Sequence, residues 1–99
     1  MLKELNIEGV LYQIIWSDIP MVDDGKEHWA ILDAENRTLT MYRGLSEHDL
    51  RHLLTHEIVH EIINLMGDSP NGGEEFVKLF SRLFFDSLDR NGIFTRKIK

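Results

Sequence analysis

The hydrophobic spacing of this chain changes period once, at Arg43-Gly44-Leu45, and that switch constrains the fold more than any other feature. Before it, apolar side chains alternate with polar ones, as half-buried strands require. Leu5, Ile7, Val10, Tyr12, Ile14 and Ile15 form a β-rich stretch with Glu8-Gly9 as its turn, predicting a small hairpin that closes near Trp16. His28 to Leu32 and Thr38 to Tyr42 form a second pair around Asp33-Ala34-Glu35-Asn36. Between the pairs, Ser17 to Lys26 contains Pro20, Asp23, Asp24 and Gly25 and reads as a polar connection. The first half is therefore expected to be a small antiparallel sheet of about four strands.

After the switch the spacing is helical. Ser46-Glu47-His48-Asp49 supplies a capping serine with an acidic residue three positions on. Leu50, Leu53, Leu54, Ile58, Ile62 and Leu65 then mark one helix, with Gly67 as its stop. Asp68 to Gly73 is a Pro/Asn/Gly loop, and Glu74 starts a second helix running through Phe76, Leu79, Phe80, Leu83, Phe84 and Leu88 to Asn91-Gly92. Strands first and helices last place the chain in the α+β class, as one domain over residues 1–99. A chain this short buries only ~60–65% of its unfolded surface, so a metal tying two elements together would matter for stability.

Seventeen acidic against eleven basic side chains give a net charge of −6. That balance argues against nucleic acid or an anionic membrane as the main partner. The basic residues Arg96, Lys97 and Lys99 read as a solvated tail. There are no cysteines, which fits a cytoplasmic location and means that any zinc must be held by histidine and carboxylate. No leader pattern opens the sequence, and no apolar run approaches the ~20 residues of a membrane span.

The first helix carries His56-Glu57-Ile58-Val59-His60, an H-E-x-x-H string. Histidines four apart lie ~6 Å apart along the axis and ~40° around it, so both imidazoles can reach one ion. Glu57 then stands beside that ion, where a carboxylate can take a proton from zinc-bound water. His48, His52, His56 and His60 form a ladder with a repeat of four. Its ends are ~18 Å apart, so only neighbouring pairs can chelate. The 52/56 pair is followed by Leu53 and the 56/60 pair by Glu57; only the second brings its own base. Glu61, one turn further, reads as a surface or supporting group.

A hydrolytic zinc takes three protein ligands and leaves a fourth place for water. The third must come from outside this helix, and the first turns of an antiparallel second helix are the natural source. Glu75 shares a face with Leu79, Phe80 and Leu83, whereas Glu74 shares one with Lys78. Phase thus favours Glu75, with Asp68 and His28 as weaker alternatives. Both glutamates also suit a helix N-terminus simply as carboxylates facing its dipole.

Leu53 to Ile62, together with Glu75-Phe76-Val77-Lys78-Leu79-Phe80-Ser81-Arg82-Leu83-Phe84, resembles the small gluzincin-type metallopeptidases, and among them short phage and mobile-element proteins related to the ImmA/IrrE group. The strand Thr38 to Tyr42 followed by Leu45-Ser46-Glu47 is also similar, so the likeness covers roughly residues 28–90. It implies His56, His60 and Glu75 as zinc ligands, Glu57 as base, and a regulatory protein, such as a transcriptional regulator of a phage or mobile element, as substrate. Better-known gluzincins place an acidic residue one turn after the third ligand; this chain has Leu79 there. Tyr12, Tyr42 and His28 are the candidates for stabilising an oxyanion.

The expectation is a zinc-dependent metallopeptidase, with an extended substrate held along the strand ending at Tyr42. The alternative is a catalytically silent, zinc-stabilised protein-binding module. A third reading is a helical interaction protein that dimerises through the C-terminal helix, where Phe84 and Phe85 face different sides.

Overall fold

The computed structural model describes residues 1–66 and 74–99, with the backbone alone at 74–78 and 81. Six strands precede two helices: β1 (Glu4–Ile7), β2 (Val10–Ser17), β3 (Met21–Asp23), β4 (Lys26–His28), β5 (Ala30–Asp33), β6 (Thr38–Tyr42), α1 (Glu47–Leu65) and α2 (Glu74–Arg90). The α+β class holds. The main sheet has the order β1-β2-β6-β5, and β3 and β4 form a separate two-stranded sheet.

Local chemistry sets the tight turns. Glu8 and Gly9 both adopt positive φ, 51° and 84°, the conformation that matches the twist of a two-residue hairpin between β1 and β2. Asp24 and Gly25 repeat it, at 52° and 72°, between β3 and β4. The stretch Ser17 to Lys26, expected as a connection, therefore holds most of a second hairpin. The β5–β6 turn is fastened by Asp33, whose carboxylate accepts from the Asn36 backbone N–H at 3.1 Å and its side-chain amide at 2.8 Å.

The sheet is mixed, which corrects the expected antiparallel one. β1 pairs antiparallel with β2 and β5 antiparallel with β6, as the two hairpin patterns require, but β2 and β6 run parallel, with Gln13 opposite Thr38 and Ser17 opposite Tyr42. This seam places β6 in the interior of the sheet. The strand ending at Tyr42 therefore has no free edge for a peptide.

The two outer edges differ. Along the β1 edge, outward backbone groups at Leu2, just before the strand, and at Asn6 are met by other parts of the chain: Leu2 N–H donates to the Ile98 carbonyl at 2.7 Å. The Asn91 side-chain amide accepts from Asn6 N–H and donates to Asn6 C=O, both at 2.8 Å. On β5, Tyr42 N–H donates to the Trp29 carbonyl, which fixes the alternation of the ladder. Trp29, Ile31 and Asp33 thus turn their backbone groups toward β6, and Ala30 and Leu32 turn theirs outward. Among the described residues nothing pairs with that outer edge of β5.

The core lies between one face of the sheet and α1. Leu5, Ile7, Tyr12, Ile14, Leu39 and Met41 from the strands meet Leu50, Leu54, Ile58 and Ile62 from the helix, all buried. Ser46 caps α1, its hydroxyl accepting from Asp49 N–H at 3.1 Å. α1 ends at Leu65 with Met66 as its cap; the expected stop at Gly67 and the Asp68 candidate lie outside the described residues. α2 starts at Glu74 as expected and contributes Phe80, Leu83, Phe84 and Leu88 to the core. The C-terminal segment packs rather than trailing in solvent. Ile98 is fully buried, the Glu47 carboxylate accepts from the Ile98 and Lys99 N–H groups at 2.8 and 3.1 Å, and the Lys99 ammonium donates to the Leu45 carbonyl at 2.6 Å. Among the described residues, no helix is long and apolar enough to cross a membrane.

Candidate metal centre on the first helix

The buried stripe of α1 repeats every four residues, at 50, 54, 58 and 62, and the histidine ladder repeats every four at 48, 52, 56 and 60. The two rows are offset by two positions, about 200° around the helix. Burying the first row against the sheet therefore holds the second in solvent, and all four histidines are exposed. Their ring geometry divides them. His48 and His52 have centroids 6.0 Å apart, tilted at 43°. His56 and His60 meet edge to face at 4.5 Å and 78°, and their Nε2 atoms lie 3.0 Å apart.

That separation can be compared with what zinc needs. Two nitrogens at ~2.0–2.1 Å from a tetrahedral ion stand about 3.3 Å apart. The His56 and His60 pair is within a few tenths of an ångström of that bite, with the same nitrogen of each ring turned toward the other. Two imidazole nitrogens at this spacing are a donor set of the kind a divalent ion takes.

Glu57 is half-buried between the two histidines in sequence. Burial lifts its carboxyl above the usual glutamate range, and the adjacent His56 and His60 imidazoles pull it partly back. The third ligand is less defined. Glu75 falls in the first turn of α2, but its side chain lies outside the described residues, as does that of Glu74. Among the described residues no three donors converge as a cation site.

Two sequence assignments change. Glu61 is 4% exposed, not a surface group, and its Oε1 accepts from the Tyr12 hydroxyl at 2.6 Å. Its Oε2 is buried and, among the described residues, has no hydrogen-bond partner. Tyr12 is itself 2% exposed; burial, and after it the hydrogen bond to Glu61, push its phenol well above the ordinary tyrosine value. A neutral phenol committed to a buried carboxylate is not free to stabilise an oxyanion, so Tyr12 leaves that list. Neither Tyr42 nor His28 lines the groove beside His56. That groove is walled by Trp29, His48, Asp49, His52, Leu53 and His56, and Trp29 is the site residue that sequence reasoning missed. Its signal was only its place, directly ahead of an edge strand. Comparison of the chain with protein-family models, with curated proteins and with solved structures finds no match.

Proposed function

We propose that the chain is a zinc-dependent peptidase whose base is Glu57 and whose metal is held by His56, His60 and Glu75. The observation that carries this reading is the 3.0 Å approach of the two Nε2 atoms on a helix that also presents a half-buried glutamate. Zinc bound there would acidify water and polarise the scissile carbonyl. Glu57 takes the proton of the attacking water and returns it to the leaving amine as the C–N bond breaks. Its raised proton affinity in the metal-free chain brings it closer to the working range of a general base.

The substrate is held in extended form. Because β6 is interior, the strand available for peptide pairing is β5, with the outward N–H and C=O groups of Ala30 and Leu32 as its partners. The resemblance to short phage and mobile-element proteins suggests a regulatory protein as the natural substrate, in the cytoplasm.

The test joins metal content to turnover. Wild type should bind one zinc per chain and cleave an unfolded protein, His56→Ala and His60→Ala should lose both properties, and Glu57→Gln should keep the metal and lose cleavage. Cleavage retained by Glu57→Gln refutes the assignment of the base. A second reading, a zinc-stabilised protein-binding module without turnover, is favoured by Leu79, a 39% exposed apolar side chain where better-known gluzincins carry a supporting acid. Zinc binding with no hydrolysis of any peptide library would select it. Phe85 and Phe94, both 59% exposed with rings 6.2 Å apart, are the surface on which dimerisation through the C-terminal helix would rest.

A further inference from the structure

The groove beside His56 has walls that the hydrolytic step does not use. Trp29, His48, Asp49, His52, Leu53 and His56 border an open groove of about 570 Å³, within the ~300–1,000 Å³ of small-ligand sites. We propose, resting on the peptidase reading, that this groove seats an aromatic side chain of the substrate, phenylalanine or tyrosine, next to the bond that is cut.

Position supports this first. His56, one of the two converging histidines, lines the groove, so a side chain in it belongs to a residue close to the scissile bond. Trp29 immediately precedes Ala30, where the open edge of β5 begins. A peptide pairing with Ala30 and Leu32 therefore passes over the indole, and side chains on one face of it drop toward α1.

The wall chemistry then selects the side chain. Trp29 is 53% exposed, and the His48 and His52 rings are tilted to each other, so an incoming ring meets π surfaces at both offset and edge angles. Leu53 adds an aliphatic wall. An arginine could also stack on Trp29 and reach Asp49, one of two acidic residues, with Glu47, in the first turn of α1, so it is the competitor that the titration below must exclude. An acidic side chain would face Asp49. A neutral ring carries no charge to desolvate against the Leu53 wall, and a tyrosine hydroxyl can donate to the Asp49 carboxylate.

The test measures binding separately from turnover. Zinc-loaded Glu57→Gln is titrated calorimetrically with one peptide sequence carrying Phe, Tyr, Leu, Arg or Ala at successive positions. The Phe and Tyr peptides should bind about tenfold tighter than the Ala peptide at one position, with Arg no better than Ala. Adding Trp29→Ala should bring the aromatic peptides down to the Ala value, and adding Trp29→Phe should preserve the preference. Equal affinities, a preference for Arg, no measurable binding, or a preference that survives Trp29→Ala would each overturn the subsite. Zinc content and cleavage by the wild type are read independently, and their absence overturns the peptidase reading instead.

Discussion

Tyr12→Phe removes one oxygen from a fully packed ring and opens no cavity, so its cost isolates the hydrogen bond to Glu61. That bond is 2.6 Å long between two buried groups, and among the described residues the other carboxyl oxygen has no partner. The substitution therefore leaves a buried carboxyl group with neither oxygen satisfied. Leaving a buried polar group unsatisfied costs about 1–3 kcal/mol, and for a chain of this size each kcal/mol lowers Tm by roughly 4–8 °C. Glu61→Leu strands the Tyr12 hydroxyl instead and should cost a comparable amount. In Tyr12→Phe/Glu61→Leu both groups are gone, the site is apolar, and stability should return most of the way to wild type. Urea denaturation with chelator present, at constant m, supplies the four corners of the cycle, and a coupling of about 3 kcal/mol is expected. A cycle additive within about 0.5 kcal/mol, or a Tyr12→Phe variant as stable as wild type, refutes the reasoning.

Asn91→Leu should cost about 3 kcal/mol, because the side chain joins Asn6 N–H, Asn6 C=O and the Ser87 carbonyl at 2.8, 2.8 and 2.7 Å; faster amide exchange at Asn6 than at Leu5 would locate the damage at the outer edge of β1. For Glu57, the sign follows from its raised folded value: a group shifted upward favours the folded state while protonated and loses that contribution as pH rises through the folded pKa. Metal-free Glu57→Gln should therefore gain stability relative to metal-free wild type on going from pH 4 to pH 7, and parallel pH profiles of the two in urea would contradict the shift.

Features encoded by neighbouring residues were legible in the sequence. Glu8-Gly9 announces its hairpin, Ser46 announces the start of α1, and the spacing of His56 and His60 announces a pair able to share an ion. What escaped depends on distant partners or on short elements. Period-two alternation in Val10–Ser17 and Thr38–Tyr42 says nothing of whether two strands run parallel, since no local turn joins them. β3 and β4 have three residues each and little apolar content, so only Asp24-Gly25 marks their hairpin in the sequence. Glu61 lies seven residues after Leu54, on the core stripe, but a carboxylate there makes sense only with Tyr12, 49 positions away. Glu75 was placed by helical phase, and helix α2 does begin one residue before it.

The parallel seam between β2 and β6 also orders the events of folding. The β1–β2 and β5–β6 hairpins close over short loops on microsecond scales, whereas the seam joins Gln13 to Thr38 across the whole β3–β4 segment and must meet the entropy of that longer closure first. Until it forms, Ile14, Leu39 and Met41 do not make a continuous surface, and α1, at 19 residues, is marginal as an isolated helix in water. The imidazoles of His56 and His60 thus acquire a lasting geometry only after the last strand pairing is complete, and in a refolding experiment capture of metal should trail the slowest phase of sheet assembly.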